Sequence, residues 1–371
     1  MIPQDVLEKR NRVLVRKLIR KHRLNLTGLT VFTEAATGSY KYTPIIAALA
    51  GADRVFAVTG DSKYGSKEVV RKQTLIEAKI LGVHDKISVL YEKDGDCLSR
   101  SDIITNSGFV RPITAEMVFF MKATAVIPLM WLASEFRPEE LDFPACIEKE
   151  ILVMGTNEHH HSLKLFNSIG FKICKLLFHT GFSIYNDNFL LTASGDMGNS
   201  IADFFINNSV SFDRIVFDDE IPMRHRKFVC DRTEIINNLD KYDAIIVAEL
   251  YHNVNILSAG GFISTKLLKK QNPLVQIIHT YGSIDKDNII EENLCLYPPE
   301  PRNFPYGTVC ADYLGEKPTL DLITAGLKVG EVMARSRLNG MTAVETEKYT
   351  LDNSPADVLS EMFVKTRSQL M

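Results

Sequence analysis

The sequence predicts an α/β protein built from two Rossmann-like domains with mostly parallel sheets and a cleft between them. Three observations carry this prediction. Apolar, β-rich runs alternate with segments of helical period along most of the chain. At 371 residues the chain is longer than one typical domain and has material for two cores. The alternation also restarts near Phe189, after an amphipathic segment long enough to carry the chain from one domain to the next.

In the first half, strands are expected over 29–33, 54–58, 86–91, 102–105, 124–130 and 151–155, with helices over 43–50, 66–81 and 115–122 between them. A long helix over 162–178 should link the domains. Beyond it come a strand over 188–192, a helix over 197–207, and strands over 214–217, 244–248, 275–279 and 294–297. Four prolines within 298–305 demand extended loop, and 319–338 reads as a closing helix. The domains are therefore expected at 1–155 and 156–318, with 319–371 returning to the first.

Hydrophobic residues make up 45% and charged residues 24%, and 43 basic against 46 acidic side chains leave a formal charge of −3. This balance gives no reason to expect nucleic acid as a partner. The longest apolar run contains Pro128 and is too short for a bilayer, and the polar start lacks a signal-peptide core, so no membrane association and a cytoplasmic location are expected. Six scattered cysteines show no metal spacing, and they read as reduced structural thiols with no metal site. Near the start, Lys9, Arg10, Arg12, Arg16, Lys17, Arg20, Lys21 and Arg23 accompany Val13, Leu14, Leu18 and Ile19 at helical spacing. That helix could touch an acidic partner or a membrane surface. A solvated helix lying on its own domain is the reading we favour.

The most informative stretch is LLTASGDMGNSIADFF, a strand, a glycine turn and a helix in which Ala193-x-Gly195-x-x-Gly198 matches a dinucleotide fingerprint except at its first glycine. Such a turn lets backbone amides and the positive helix end approach a diphosphate, which bulky side chains would obstruct. Ser194, Gly195, Asp196, Met197 and Gly198 are thus candidate cofactor-binding residues. Asp218 and Asp219 follow the next strand, about twenty residues on, where a carboxylate can accept from a ribose diol and repel a 2′-phosphate; this favours NAD over NADP. The alternative is a bare crossover whose glycines serve packing.

A long linking helix followed by this turn and an acid-ended strand resembles S-adenosylhomocysteine hydrolases and the formate/glycerate group of D-2-hydroxyacid dehydrogenases. The resemblance implies two domains, NAD, an interdomain substrate cleft and a homodimer. One departure is plain: those dehydrogenases carry an arginine–glycine pair late in the domain, and here Tyr281 precedes Gly282. The resemblance therefore extends to fold and cofactor and leaves the substrate open. Separately, VFTEAATGSYKYTPIIAALAGADRVFAVTGDSKYG is similar to the strand, turn, helix, strand course of a class I methyltransferase, with Gly38 as the turn's one glycine.

Candidate chemistry lies where strands end. Thr156 and Asn157 lead into Glu158 and three consecutive histidines, a cluster suited to cofactor contact or acid–base work, or equally to capping the following helix. Arg111 could clamp an anion through its planar fork. His252 and Tyr281 are candidate proton carriers beside a nicotinamide. Together these predict an NAD-dependent enzyme acting on a small polar or anionic metabolite by net or transient hydride transfer, with Glu158, His252, Tyr281 and Arg111 as its catalytic set. The alternatives are an S-adenosylmethionine-dependent or other group transferase using the N-terminal domain, and a non-catalytic nucleotide sensor.

Overall fold

The computed structural model describes residues 3–133, 136–163, 165–218, 220–300 and 313–359. The chain divides into two compact units, Met1–Lys164 with Glu316–Met371, and Leu165–Gly315. Most of the proline-rich stretch over 298–305 lies outside the described residues, as do Glu135 and Asp219.

Strands β1 (Thr30–Glu34), β2 (Arg54–Val58), β3 (Ile87–Leu90), β4 (Ile103–Ile104), β5 (Val126–Pro128) and β6 (Leu152–Thr156) form the sheet of the first unit. Their order is β6-β5-β4-β1-β2-β3 and all pair in parallel; a two-residue strand, Ala356–Asp357, adds antiparallel to β6. The chain works outward from β1 to β3 and then returns to β4 on the opposite side, so the winding reverses between β1 and β4. Side chains alternate between two cores: Val31, Val55 and Ile103 face one, and Phe32, Phe56 and Ile104 face the other. Burial on both faces explains why these strands read as unbroken apolar runs.

Helix Lys317–Leu338 lies against this sheet, and it can approach because Gly326 and Gly330 carry no Cβ. A Cβ on Gly330 would fall 2.9 Å from Ile103, and one on Gly326 would fall 2.8 Å from the Met130 sulfur. The basic N-terminal helix Gln4–Lys21 sinks Val15 and Leu18 into the same core. Its cations meet acids of the same unit: Arg12 Nε donates to Glu77 at 2.6 Å, and Lys21 Nζ to Asp321 at 2.6 Å. Among the described residues no helix is long and apolar enough to cross a membrane.

In the second unit, β7 (Asn188–Thr192), β8 (Ser211–Ile215), β9 (Ala244–Ala248), β12 (Gln276–Tyr281) and β14 (Cys295–Tyr297) pair in parallel in the order β14-β12-β9-β7-β8. The winding reverses between β7 and β9. A second, small sheet combines β10 (Asn255–Ser258), β11 (Ile263–Ser264) and β13 (Ser283–Ile284). The α/β class and the mostly parallel sheets are as the sequence predicts, and both large sheets are doubly wound.

Two boundaries differ from expectation. The linking helix begins at Asn167, not at 162, because the histidine run folds into turns: His160 N–H donates to the Asn157 carbonyl at 3.1 Å, and Leu163 N–H to the His160 carbonyl at 2.8 Å. Strand β8 lies three residues earlier than the reading of 214–217. It pairs Asn188 with Ser211 through Thr192 with Ile215, which puts Arg214 inside the strand and frees Val216 to Asp218 as a loop.

Candidate functional site

The glycine turn in the second unit is built over a buried cation. After β7 the chain turns through Ala193 and Ser194 directly into helix Gly195–Asn207. Arg214, on the neighbouring β8, is only 1% exposed; its Nε donates to the Ala193 carbonyl at 2.8 Å and its Nη1 to Asn199 Oδ1 at 3.0 Å. A Cβ on Gly198 would collide with that guanidinium and lie 2.5 Å from the Ala193 carbonyl oxygen, so the second glycine is required by packing of helix on strand. Burial pushes the Arg214 pKa down to about 10, opposed by Asp218, Glu249 and Asp203, and the group stays cationic at neutral pH. Gly195 is required for two reasons. Its φ of +59° is left-handed, and a Cβ there would come within 2.5 Å of the Tyr251 ring.

Around this turn four polar groups form a chain. Asp218 accepts a hydrogen bond from the Gly195 amide, so a carboxylate sits at the positive end of the helix. Asp218 Oδ1 also lies 3.3 Å from His252 Nε2. On the other side of the imidazole, Nδ1 is 3.1 Å from Glu249 Oε1, and that same oxygen accepts the backbone amides of Tyr251 at 3.0 Å and His252 at 3.1 Å. Glu249 is 1% exposed, and its second oxygen has no hydrogen-bond partner among the described residues. An imidazole held between two carboxylates has a fixed orientation and a ready path for a proton to either nitrogen. Ser194 supports the arrangement, its hydroxyl accepting from the Phe217 amide at 2.9 Å.

The end of β12 borders the cluster. Tyr281 pairs in register with Ala248, and Gly282, at φ +98°, passes so close to Glu249 that a Cβ would lie 2.9 Å from its carbonyl oxygen. Tyr281 itself turns toward the helix Asn167–His179, where Lys172 Nζ is 3.3 Å from its hydroxyl and 4.5 Å from its ring centroid. His279 is also buried, with Nε2 2.8 Å from the Gly282 carbonyl; burial pushes its pKa down, partly offset by that bond.

The structure thus brings together Ser194, Gly195, Asp218 and His252, with Tyr281 one strand away. Asp196 lies in the first helical turn, and Met197 is buried in the core. The remaining predicted residues belong to the first unit. Arg111 Nη1 donates to Glu140 at 2.5 Å and its guanidinium lies 4.6 Å from the Trp131 ring centroid. Thr156 ends β6, Asn157 Oδ1 accepts the His159 amide at 2.9 Å, and Glu158 is 2% exposed. Sequence reading missed Glu249, Arg214 and Lys172. Glu249 was within reach, since it is the first polar residue after an apolar strand and stands at that strand's carboxyl end, where open α/β sheets place ligands.

No family model and no curated protein matches this chain. Among solved structures it is similar to a dipicolinate synthase polypeptide from Bacillus halodurans, at 14% identity and a TM-score of 0.48, over 84% of this chain and 99% of that one. It is also similar to the corresponding dipicolinate synthase polypeptide from Bacillus subtilis, at 13% identity and 0.49, over 88% and 99%. A third is D-lactate dehydrogenase with NAD+ from Lactobacillus jensenii, at 13% identity and 0.45, over 76% and 97%. Each is a likeness in the course of the chain.

Proposed function

We propose that this chain is an NAD-dependent enzyme acting on a small polar or anionic metabolite, with its cofactor at the turn of the second unit. The observation that carries the reading is the contact between the Asp218 carboxylate and the Gly195 amide: an acceptor for a ribose diol stands beside a donor for a diphosphate, at the reversal point of a doubly wound sheet. The residues fit the group on two conditions. Asp218 must exchange the Gly195 amide for ribose hydroxyls, leaving that amide to a phosphate oxygen, and the Tyr251 ring must yield the space above Gly195. A second negative charge at the 2′ position would meet Asp218, which favours NAD over NADP.

When bound, the nicotinamide supplies a hydride acceptor or donor. His252 is the proton carrier in this scheme, oriented by Glu249 and in contact with Asp218. Arg111 receives no role here, because Glu140 and Trp131 already engage its guanidinium.

Thermal shift and calorimetric titration test the reading. NAD at a hundred times its Kd stabilises the folded protein by about 2.7 kcal/mol. Gly195→Val is expected to abolish that stabilisation. Asp218→Ala removes charge-assisted bonds of about 1.5–3 kcal/mol each, so affinity for NAD should fall roughly tenfold or more and the preference over NADP should shrink. An unstabilised wild-type protein, or a valine variant that binds NAD normally, overturns the proposal.

A further inference from the structure

We propose that the first unit holds a second ligand site, at the reversal of winding between β1 and β4, where the Asn106 carboxamide reads the edge of an adenine ring. The argument starts from Asn106 itself. It is 0% exposed, and neither its side-chain oxygen nor its nitrogen has a hydrogen-bond partner among the described residues. A buried amide with both ends unmatched is costly, and folded proteins keep such groups where something else supplies the partners.

Its position tells where that partner enters. The ladder runs on past β4, with the Thr105 amide donating to the Phe32 carbonyl and the Asn106 amide to the Pro128 carbonyl, so side chains continue to alternate. Asn106 therefore shares a sheet face with Ile104, and Glu34 shares it with Phe32. Both lie at the carboxyl ends of the two strands between which the winding reverses, the place where doubly wound sheets take up ligands. The loop that follows Asn106 folds onto Glu34. Glu34 Oε2 accepts the Phe109 amide at 3.1 Å, Gly108 lies so close to that carboxylate that no Cβ would fit, and the Phe109 ring would be 3.1 Å from a Cβ on Gly60. Gly60, Gly108 and Phe109 reach the surface.

A carboxamide offers a donor and an acceptor side by side in one plane. The complementary edge has an acceptor beside a donor, as adenine has at N7 and its exocyclic amine, and an asparagine takes that edge with two bonds. Hypoxanthine replaces the amine with a carbonyl and keeps one of the two. The site is independent of the NAD reading, since every residue in it belongs to the first unit.

Adenosine is the probe, with inosine as control, read by thermal shift and calorimetry on the whole chain. Adenosine should raise the melting temperature, and inosine should bind at least ten times more weakly. Asn106→Leu removes the unmatched amide, so the unliganded variant should melt at or above the wild-type temperature and lose the adenosine shift. Asn106→Asp, which keeps the shape but not the donors, should lose it too. The Gly195→Val variant should keep it, which separates this site from the turn of the second unit. Absence of an adenosine effect on the wild-type protein, its survival in either Asn106 variant, or its loss in Gly195→Val would overturn the proposal.

Discussion

Arg214 shows how a single buried side chain can set the shape of a glycine turn. A guanidinium deprived of water is tolerable only if its donors are matched, and here Ala193 and Asn199 take two of them directly under the helix start. Arg214→Met should therefore destabilise the second unit by about 1–3 kcal/mol for each acceptor it strands in the interior. Lysine should rescue little, since one ammonium cannot reach both acceptors with the planar fork's geometry. Urea unfolding monitored on the unit's own signals checks this, and full rescue by lysine would refute it. None of this was legible in the sequence, where Arg214 looks like an ordinary polar start to a short strand. Asp218 was legible, because spacing from the glycine turn picks it out. Its bond to Gly195 was not, since spacing says nothing of what an acid touches.

Between elements, the same limit separates what pattern reveals from what contact decides. Helix 67–81 was readable almost to the residue because both ends carry their own punctuation: Ser66 accepts the Val69 amide, and Gly82 closes the helix at φ +76°. Strands β10, β11 and β13 had no such signal, being two to four residues long and defined only by one another. The glycine at 170 was similarly mute. In the structure it is the point where helix Asn167–His179 lies on helix Gly195–Asn207, its absent Cβ replaced by the ring of Phe204. Gly170→Val should force these helices apart at a cost of about 1–3 kcal/mol, which unfolding curves would measure. Because the second helix begins at the glycine turn, the same variant should also weaken NAD more than adenosine. An unchanged Kd for NAD would mean that the turn does not depend on this packing.

For the molecule as a whole, acid acts on each of the two units through a different buried group. In the second unit His279 is buried, and desolvation holds its pKa below the ordinary 6.5, reinforced by Lys172 and opposed by the Gly282 carbonyl. The unfolded chain therefore takes up a proton first as pH falls below about 6.5, and the unit loses stability through that window. Glu34 in the first unit has the opposite sign. Burial raises its pKa above 4.5, so its contribution is complete below that pH and is lost as pH rises through its folded value, while the Gly108 and Phe109 amides and Arg111 limit the loss. Thermal unfolding followed between pH 7 and 5 should thus show the second unit's transition falling, and His279→Gln should flatten its dependence on pH. Glu34→Gln should remove the loss that the first unit suffers as pH rises. If His279→Gln leaves the slope of the second transition unchanged, the imidazole is not the group that couples this unit to acid, and the buried environment assigned to it is wrong.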